Sequence, residues 1–253
     1  MPKTKLAQAL ASGRFAVTAE CQPPRSADAA AVKKLSATLP PGLDAVVVAD
    51  NPDGICGSAL ACAALLAAEG HSTVLSMVTR DRNRIALESD ALGAAVLGVE
   101  GILSLSGDHA WLGSCPQAAG VYDIDSVQFA QALNRLRREG VEPLPQWLVG
   151  VAAHPYLEPI ELNLLRLKKK VAAGADFVLT QAVTDLAGFT RWMDAVRQAG
   201  LDQQVAILAG VNASGGGEMA AQLKAVPGVR GIHIFSGGCE SQAAGVIQQA
   251  GLA

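Results

Sequence analysis

A glutamate ends the first apolar segment of the chain, where a carboxyl group could act as an acid. The segment Phe15–Glu20 runs directly into Cys-Gln-Pro-Pro, and the two prolines hold the following backbone extended. Burial raises the pKa of a carboxyl group, so Glu20 is a candidate general acid. The alternative is a glutamate that hydrogen-bonds a neighbouring loop and has only a structural role.

Two further polar residues, Asp108 and Gln181, end other apolar segments and have the chemistry to hold a heterocycle. Asp108 follows Gly107 in the run LSLSGDH, and a glycine lets the backbone approach a ligand closely. The Asp108 carboxylate can accept two N–H bonds from an aminopyrimidine-like edge, and the Gln181 amide can both donate and accept. The alternatives are a turn or N-cap aspartate, and an amide bonded to the next loop.

Other polar residues at segment ends complete a ring that suits a polar heterocycle better than a lipid. They are Asp50, Asn51, Ser76, Thr79, Arg80, Asp81, Gly107, His109, His154, Asn212, Ser236, Gly237 and Gly238. In the run RDRNR, Asp81 or Asn83 is a candidate helix N-cap. A solvated surface is the favoured interpretation of its arginines, and contact with a carboxylate or phosphate is the alternative. Glycines 215–217 follow the seventh apolar run, and Ser236-Gly237-Gly238 is expected to open a helix after the eighth. Both stretches are compatible with phosphate binding at a helix N-terminus or with simple turns.

The histidines and cysteines do not have the spacing of a metal site or of a hydrolase. The four histidines show no H-x-x-x-H or H-x-H pairing, which predicts that no metal is bound. No G-x-S-x-G or Cys/His signature supports nucleophilic hydrolysis. The five cysteines are odd in number, widely spread and without a C-x-x-C pair. This pattern predicts reduced thiols in a cytoplasmic protein.

Eight short runs rich in Val, Ile and Leu must position these residues. They begin 26 to 30 residues apart, except for a gap of 46 between the fourth and the fifth. Such runs, with little alternation and bounded by turns, are typical of strands buried on both faces of a parallel sheet. The predicted strands are Phe15–Glu20, Ala45–Asp50, Thr73–Val78, Ile102–Ser106, Leu148–Ala153, Phe177–Gln181, Val205–Ala209 and Gly231–Phe235.

Ala- and Leu-rich stretches with helical spacing lie between these runs. They include Ala27–Leu39, Gly57–Glu69, Arg84–Leu97, Asp125–Glu139, Ile160–Ala173 and Leu186–Gln198. Eight strand–helix units in 253 residues predict a (β/α)8 TIM barrel with an N-terminal helix, as a single domain over residues 1–253. An open doubly wound sheet is the alternative, but no G-x-G-x-x-G turn follows the first strand. Barrel active sites lie at the C-terminal strand ends, where the candidate residues fall.

The composition limits the class of function. The residues are 50% hydrophobic and 17% charged, and the formal net charge is −3. An acidic balance argues against a nucleic-acid binder, which normally carries a basic field. No apolar stretch reaches the roughly 18 residues of a membrane span, which argues against a membrane protein.

Taken together, these segments resemble the methylenetetrahydrofolate reductase family, particularly the form found in acetogenic and related anaerobic bacteria. The resemblance covers roughly residues 15–211, and GVRGIHIF is similar to the family's last strand. It depends on the combination of Glu before Pro-Pro, Gly-Asp and Thr-Gln at three strand ends. The matching segments are TAECQPPR, DAVVVADNPDG, SMVTRDRNRIALESDALGAA, GILSLSGDH, VYDIDSVQ, VAAHPYLEPIELNLLRLKKKVAAGADFVLTQAV and VAILAGV.

The resemblance implies reduction of 5,10-methylenetetrahydrofolate to 5-methyltetrahydrofolate, with hydride passed from NAD(P)H through FAD or FMN. Glu20 matches the catalytic acid, which protonates N10 and opens the imidazolidine ring. Asp108, Gln181 and Asn212 are expected to bind the folate. The residues expected to bind the cofactor are Asp50, Asn51, Ser76, Ser106, Gly107, Tyr122, His154, Lys169 and Lys170.

The chain departs from the family pattern at three places. Ser76 and Ser106 stand where many members have a flavin-facing histidine and arginine, and a Gly-Gly-Cys stretch replaces an arginine after strand eight. Only about 20 residues separate Val211 from Gly231, so the chain is shortened at this end. One alternative is therefore a flavin-free tetrahydrofolate-binding barrel that acts in corrinoid-linked methyl transfer. Another is a non-catalytic subunit of a reductase complex. A homo-oligomer or a partner methyltransferase or reductase subunit is the expected assembly.

Overall fold

The computed structural model describes residues 4–139 and 142–252, and its strands follow the eight apolar runs of the sequence. Each run rich in Val, Ile and Leu that was predicted to be a strand forms a strand, and some strand ends differ from the predicted ends by a few residues. The strands are β1 (Ala16–Cys21), β2 (Ala45–Val48), β3 (Thr73–Val78), β4 (Gly101–Leu105), β5 (Leu148–Ala153), β6 (Phe177–Ala182), β7 (Ala206–Asn212) and β8 (Val229–Phe235).

One helix precedes β1, and an α-helix follows each strand in the described part of the chain. Short 3-10 turns, Ala110–Leu112 and Glu240–Gln242, lie in the loops after β4 and β8. None of the helices in residues 4–139 and 142–252 is long and apolar enough to cross a bilayer. The helices are α1 (Lys5–Ser12), α2 (Ala29–Ser36), α3 (Ala59–Ala68), α4 (Arg84–Val96), α5 (Ser126–Leu136), α6 (Ile160–Ala172), α7 (Leu186–Gln198), α8 (Gly217–Leu223) and α9 (Ala243–Gln249).

The eight strands are parallel and form one closed barrel in chain order. Strand β1 pairs with β2 on one side and with β8 on the other, so that Thr18 lies opposite both Ala45 and His233. Closure excludes the doubly wound alternative, whose open sheet would leave two unpaired edges. The TIM barrel predicted from the strand interval is therefore confirmed.

The lower part of the barrel is filled by apolar side chains. Phe177 is fully buried there, and its ring lies against Gly150, where an added Cβ would come within 2.3 Å of the ring. Helix α1 contributes Leu6 and Ala9 to the same cluster and covers the N-terminal ends of the strands. The barrel is thus a packed core below the strand ends, and open space is confined to the C-terminal side.

Several element ends differ from the predictions. Strand β2 ends at Val48 and not at Asp50, because the Asp50 carboxylate turns to accept the backbone N–H of Val78 at 2.9 Å. Residues 236–238 form a turn and do not open a helix, and α9 begins only at Ala243. Helices α8 and α9 have seven residues each, too few for helical periodicity to stand out. One predicted N-cap is confirmed, since Asn83 Oδ1 accepts the N–H of Ala86 at 3.0 Å.

Candidate functional site

A cavity of about 280 Å³ opens at the C-terminal ends of the strands. Its floor is apolar and includes Val47, Leu103 and Leu179, which project inward from β2, β4 and β6. Polar residues from five strand ends surround this floor, as the barrel geometry predicted. Those that the sequence had singled out and that do line the cavity are Glu20, Asp50, Asn51, Ser76, Arg80, Gly107, Asp108 and Gln181.

Glu20 lies at the wall of this cavity and is tied to two neighbouring segments. Its Oε1 accepts hydrogen bonds from Gln22 Nε2 at 3.3 Å, Gly237 N–H at 3.3 Å and Ser236 Oγ at 3.4 Å. Burial raises the pKa of Glu20 above the usual glutamate value, these hydrogen bonds reduce the rise, and the nearby Glu240 adds to it. The side chain is therefore suited to holding a proton at a higher pH than a solvated glutamate.

Asp108 and Gln181 face the same cavity with their polar groups free. Neither the Asp108 carboxylate nor the Gln181 amide hydrogen-bonds any other described residue, and both residues are exposed to solvent. Gly107 adopts a φ of +81° before Asp108, and a Cβ there would lie 3.1 Å from Val78 Cβ. This glycine is thus required where the β4 loop turns above β3.

Arg80 holds the loops on either side of the cavity, a role that the sequence did not predict. Its guanidinium donates to the carbonyl oxygens of Asp108 at 2.9 Å and Asn51 at 3.1 Å, and it pairs with Asp81 at 2.7 Å. Only 6% of Arg80 is exposed. The interpretation of the RDRNR arginines as a solvated surface was therefore wrong for Arg80, because this side chain turns inward to satisfy two loop carbonyls.

Asp50 and Asn51 shape the loop after β2. The buried Asp50 carboxylate forms an ion pair with Arg82 and accepts the N–H of Val78. Burial raises the pKa of Asp50, although Arg82 opposes this change. Asn51 has a φ of +48°, and its Oδ1 accepts the N–H of Cys56 at 3.2 Å. Both residues line the cavity, where Asp50 ties the loop to the end of β3 and the Asn51 side chain holds the loop itself.

Several residues expected at the site lie outside this cavity. Ser106 points away from it and donates to Ser126 Oγ at 3.1 Å, because side chains alternate along β4 and Leu105 is the inward residue. Lys170 Nζ donates to the Ala152 carbonyl at 2.6 Å, and burial lowers the pKa of this lysine. Four exposed residues also lie outside the cavity: Tyr122, His154, Lys169 and Asn212.

His233 is a cavity residue that sequence reasoning missed. It is buried on β8, and its Nδ1 lies 3.0 Å from Thr18 Oγ1 on β1. Burial lowers the pKa of His233 to about 3, so the imidazole is neutral. Only the absence of a metal spacing had been noted for this histidine. Residues two apart on a strand point to the same side, so His233 and Phe235 on β8 both point inward. This alternation is the sequence signal that could have identified His233.

A second cavity of about 250 Å³ adjoins the first on the side of the β2 and β4 loops. Both cavities are lined by Asn51, Arg80 and Asp108, so the Arg80 guanidinium lies at their boundary. The outer wall is formed by the loop around Leu112 and Cys115. Among the described residues, no group of three or more His, Cys, Asp or Glu side chains could hold a metal ion.

Comparison with known proteins assigns the chain to a family. Residues 5–230 match the family model described as methylenetetrahydrofolate reductase. The chain belongs to this family. Methylenetetrahydrofolate reductase 2 of Saccharomyces cerevisiae is 31% identical over 134 residues, 50% of this chain and 21% of that protein. A probable methylenetetrahydrofolate reductase (NADPH) of Caenorhabditis elegans is 28% identical over 159 residues, 61% of this chain and 23% of that protein. The matched regions thus span less than a quarter of these reductases.

Solved structures with low sequence identity share the barrel of this reductase-family chain. A Clostridium thermocellum protein described as binding two copies of 5-methyl-5,6,7,8-tetrahydrofolic acid has a TM-score of 0.63 and 13% identity. That similarity covers 98% of this chain and 100% of the other. A 2,3-dimethylmalate lyase has a TM-score of 0.60 and 16% identity, over 98% of this chain and 86% of the other. At these identities the similarity shows the fold alone.

Proposed function

We propose that the chain binds a reduced folate in the strand-end cavity and converts 5,10-methylenetetrahydrofolate to 5-methyltetrahydrofolate. One observation carries this proposal: Glu20, whose pKa is raised by burial, faces the same cavity as the unpartnered Asp108 carboxylate and Gln181 amide. An aspartate and an amide can bind the donor and acceptor edge of a pterin ring. Membership of the reductase family supports the choice of reaction.

Glu20 supplies the proton for this reaction. Protonation of N10 opens the imidazolidine ring and leaves an iminium carbon at N5 that accepts a hydride. A general acid must hold its proton near neutral pH and reach the substrate, and both burial and the position of Glu20 on the cavity wall serve this purpose. Arg80 fixes the backbone of Asp108 and thereby orients the loop that carries the proposed pterin contact.

The cavity offers a surface for the ring of a flavin. Leu105, Ala152 and Ser76 form a mainly apolar surface for a flat ring, while Tyr122, His154 and Lys169 are exposed outside the cavity. FAD or FMN held there would supply hydride transfer from NAD(P)H. Of the other residues expected to bind the cofactor, Asp50, Asn51 and Gly107 also line the cavity and could contact the ring.

A flavin-free barrel that transfers a methyl group to or from tetrahydrofolate is the second candidate. Two of the expected flavin contacts are engaged elsewhere, because Ser106 bonds Ser126 and the Lys170 ammonium bonds the Ala152 carbonyl. The Clostridium thermocellum protein described as binding 5-methyltetrahydrofolic acid has a similar fold over its whole length. These observations favour retaining this candidate beside the reductase.

The visible absorption spectrum of the purified protein separates the two candidates. We expect flavin bands at close to one flavin per chain, and folate-dependent oxidation of NAD(P)H. A protein that stays colourless after incubation with FAD and FMN, yet binds tetrahydrofolate, would favour the methyl-transfer barrel. Turnover that appears only after a partner protein is added would identify a subunit of a larger reductase.

Replacing Asp108 with alanine is expected to weaken folate binding. The substitution removes an acceptor for the N–H groups of the pterin edge, and the loss of such a charged hydrogen bond costs about 1.5–3 kcal/mol. The Kd for tetrahydrofolate, measured by calorimetry, should rise roughly 10- to 100-fold. The exposed Asp194, on α7, provides a matched control, and Asp194→Ala should leave the Kd unchanged. Equal Kd values for the two variants would contradict the assignment of Asp108.

A further inference from the structure

The loop after β8 carries a buried carboxyl group, Glu240, which contacts two of the residues that also contact Glu20. Only 6% of Glu240 is exposed, and it does not line the cavity. Its Oε1 accepts the backbone N–H of Gln22 at 3.0 Å and lies 3.5 Å from Ser236 Oγ. The same Ser236 oxygen lies 3.4 Å from Glu20 Oε1. One hydroxyl group therefore joins the two carboxyl groups.

Ser236 cannot donate a hydrogen bond to both Glu20 and Glu240 at the same time. A serine hydroxyl has a single proton, so Ser236 can donate to Glu20 or to Glu240 but not to both. The N–H of Gly238 donates to the Ser236 oxygen at 3.3 Å and supplies no second proton to the pair. Because the two carboxyl groups share so few donors, Glu240 disfavours the charged form of Glu20.

The contacts of the two side chains differ in length. Glu240 accepts a 3.0 Å bond from the backbone N–H of Gln22, a donor that the chain holds in place. The contacts of Glu20 with Gln22, Gly237 and Ser236 are all 3.3 Å or longer. Glu240 is therefore the more firmly held of the two side chains, and Glu20 is the one that faces the cavity.

We propose that Glu240 is a positioning residue for Glu20, which fixes Gln22 and Ser236 against it and favours its protonated form. Glu240 touches no substrate atom and acts only through these neighbours. The inference deepens the function proposed above, since it rests on Glu20 being the general acid. The sequence had shown this loop only as a departure from the family, where a Gly-Gly-Cys stretch replaces an arginine.

Other titratable groups packed around the pair are neutral or engaged elsewhere. The thiol of Cys21 lies beside both carboxyl groups, and its hydrogen bond with Cys62 and its burial raise its pKa. His233 on β8 is neutral, because burial lowers its pKa to about 3. Across the cavity, Asp50 is paired with Arg82, while the exposed Asp108 lies on the β4 loop. Glu240 is thus the titratable side chain that is joined to Glu20 through the hydrogen bonds of Ser236 and Gln22.

The substitution Glu240→Gln tests this inference in the full-length protein. Glutamine keeps an oxygen for the Gln22 N–H but removes the carboxylate, so the pKa of Glu20 should fall toward the usual glutamate value. Carbon-13 NMR of labelled glutamate carboxyl groups measures this midpoint directly, and the Glu20 signal is identified by its loss in Glu20→Gln. In turnover assays, kcat/KM should begin to fall at a correspondingly lower pH, while the Kd for 5-methyltetrahydrofolate stays within twofold.

Two further variants control for structural effects. Glu218→Gln removes one charge from an exposed position on α8 and should leave the Glu20 midpoint unchanged. Ser236→Ala removes a hydrogen bond that favours charged Glu20, so it should move the midpoint upward, opposite to Glu240→Gln. A midpoint that does not move in Glu240→Gln, or that moves equally in Glu218→Gln, would overturn the inference. A shifted midpoint in a protein that binds no folate would support the coupling and refute the proposed function instead.

Discussion

The variant Glu20→Gln is expected to lose turnover of 5,10-methylenetetrahydrofolate by about 10²- to 10⁴-fold, the usual contribution of a general acid. Glutamine matches glutamate in size and can still accept the N–H of Gly237, but it has no proton to give to N10. The Kd for tetrahydrofolate should change little, because Asp108 and Gln181 remain in place. The measurements are kcat in steady-state assays and Kd by calorimetry.

Two comparisons make the Glu20 result specific. If flavin is bound, NAD(P)H-dependent reduction of an artificial dye should be spared in Glu20→Gln, because that reaction needs no proton on the folate. The exposed Glu161 on α6 is a suitable control, and Glu161→Gln should keep full folate turnover. Equal loss of dye reduction and folate turnover in Glu20→Gln would indicate that Glu20 is structural.

The activity is expected to fall as the pH rises. The pKa of Glu20 is raised in the folded protein, so its proton is retained to higher pH than on a solvated glutamate. Activity should accordingly persist below the raised pKa and fall as the pH rises through it. The same shift adds to folding stability at low pH, where Glu20 is protonated, and this contribution is lost as the pH rises through the folded-state pKa.

Replacing Phe177 with alanine is expected to reduce the free energy of unfolding by about 3–5 kcal/mol. The ring is fully buried in the barrel interior and occupies the space that Gly150 leaves on β5. Alanine leaves a cavity there, and neighbouring strands cannot collapse into it without breaking their pairing. Urea denaturation followed by circular dichroism measures the change, with an unchanged m-value expected.

A second substitution distinguishes lost volume from lost shape at this position. Phe177→Leu fills much of the space and should cost clearly less than Phe177→Ala. If both variants unfold at the wild-type urea midpoint, Phe177 does not support the barrel interior. Because the ring lies below the cavity, we also expect weaker tetrahydrofolate binding in the alanine variant than in the leucine variant.

Much of the fold could be predicted from the sequence because the strands of a parallel barrel are buried on both faces. Runs such as Thr73–Val78 and Leu148–Ala153 therefore show as continuous apolar segments, and the structure has them with the predicted bounds. The end of β2 was misplaced because the polar contact of Asp50 is with Val78, on another strand. Helices α8 and α9 escaped prediction because seven residues complete only about two helical turns.

The candidate site could likewise be predicted only in part. Glu20, Asp108 and Gln181 could be selected because each polar residue ends an apolar run and therefore faces the cavity. The role of Arg80 could not, because its partners are backbone carbonyls of two other loops and carry no side-chain signal. The resemblance to the family implied a cofactor contact for Ser106, but strand alternation points its side chain toward Ser126.

Barrel closure between β1 and β8 has a consequence for the order of events during folding. Glu20 lies more than 200 residues before Ser236, Gly237 and Glu240, yet these residues form its immediate surroundings. Until β8 docks onto β1, Glu20 is an ordinary solvated carboxyl group, which is already ionised at neutral pH. The pairing of β8 with β1 and the rise in the pKa of Glu20 therefore occur together. A chain in which β8 has not docked would carry Asp108 and Gln181 but would lack the raised pKa that Glu20 needs to act as an acid.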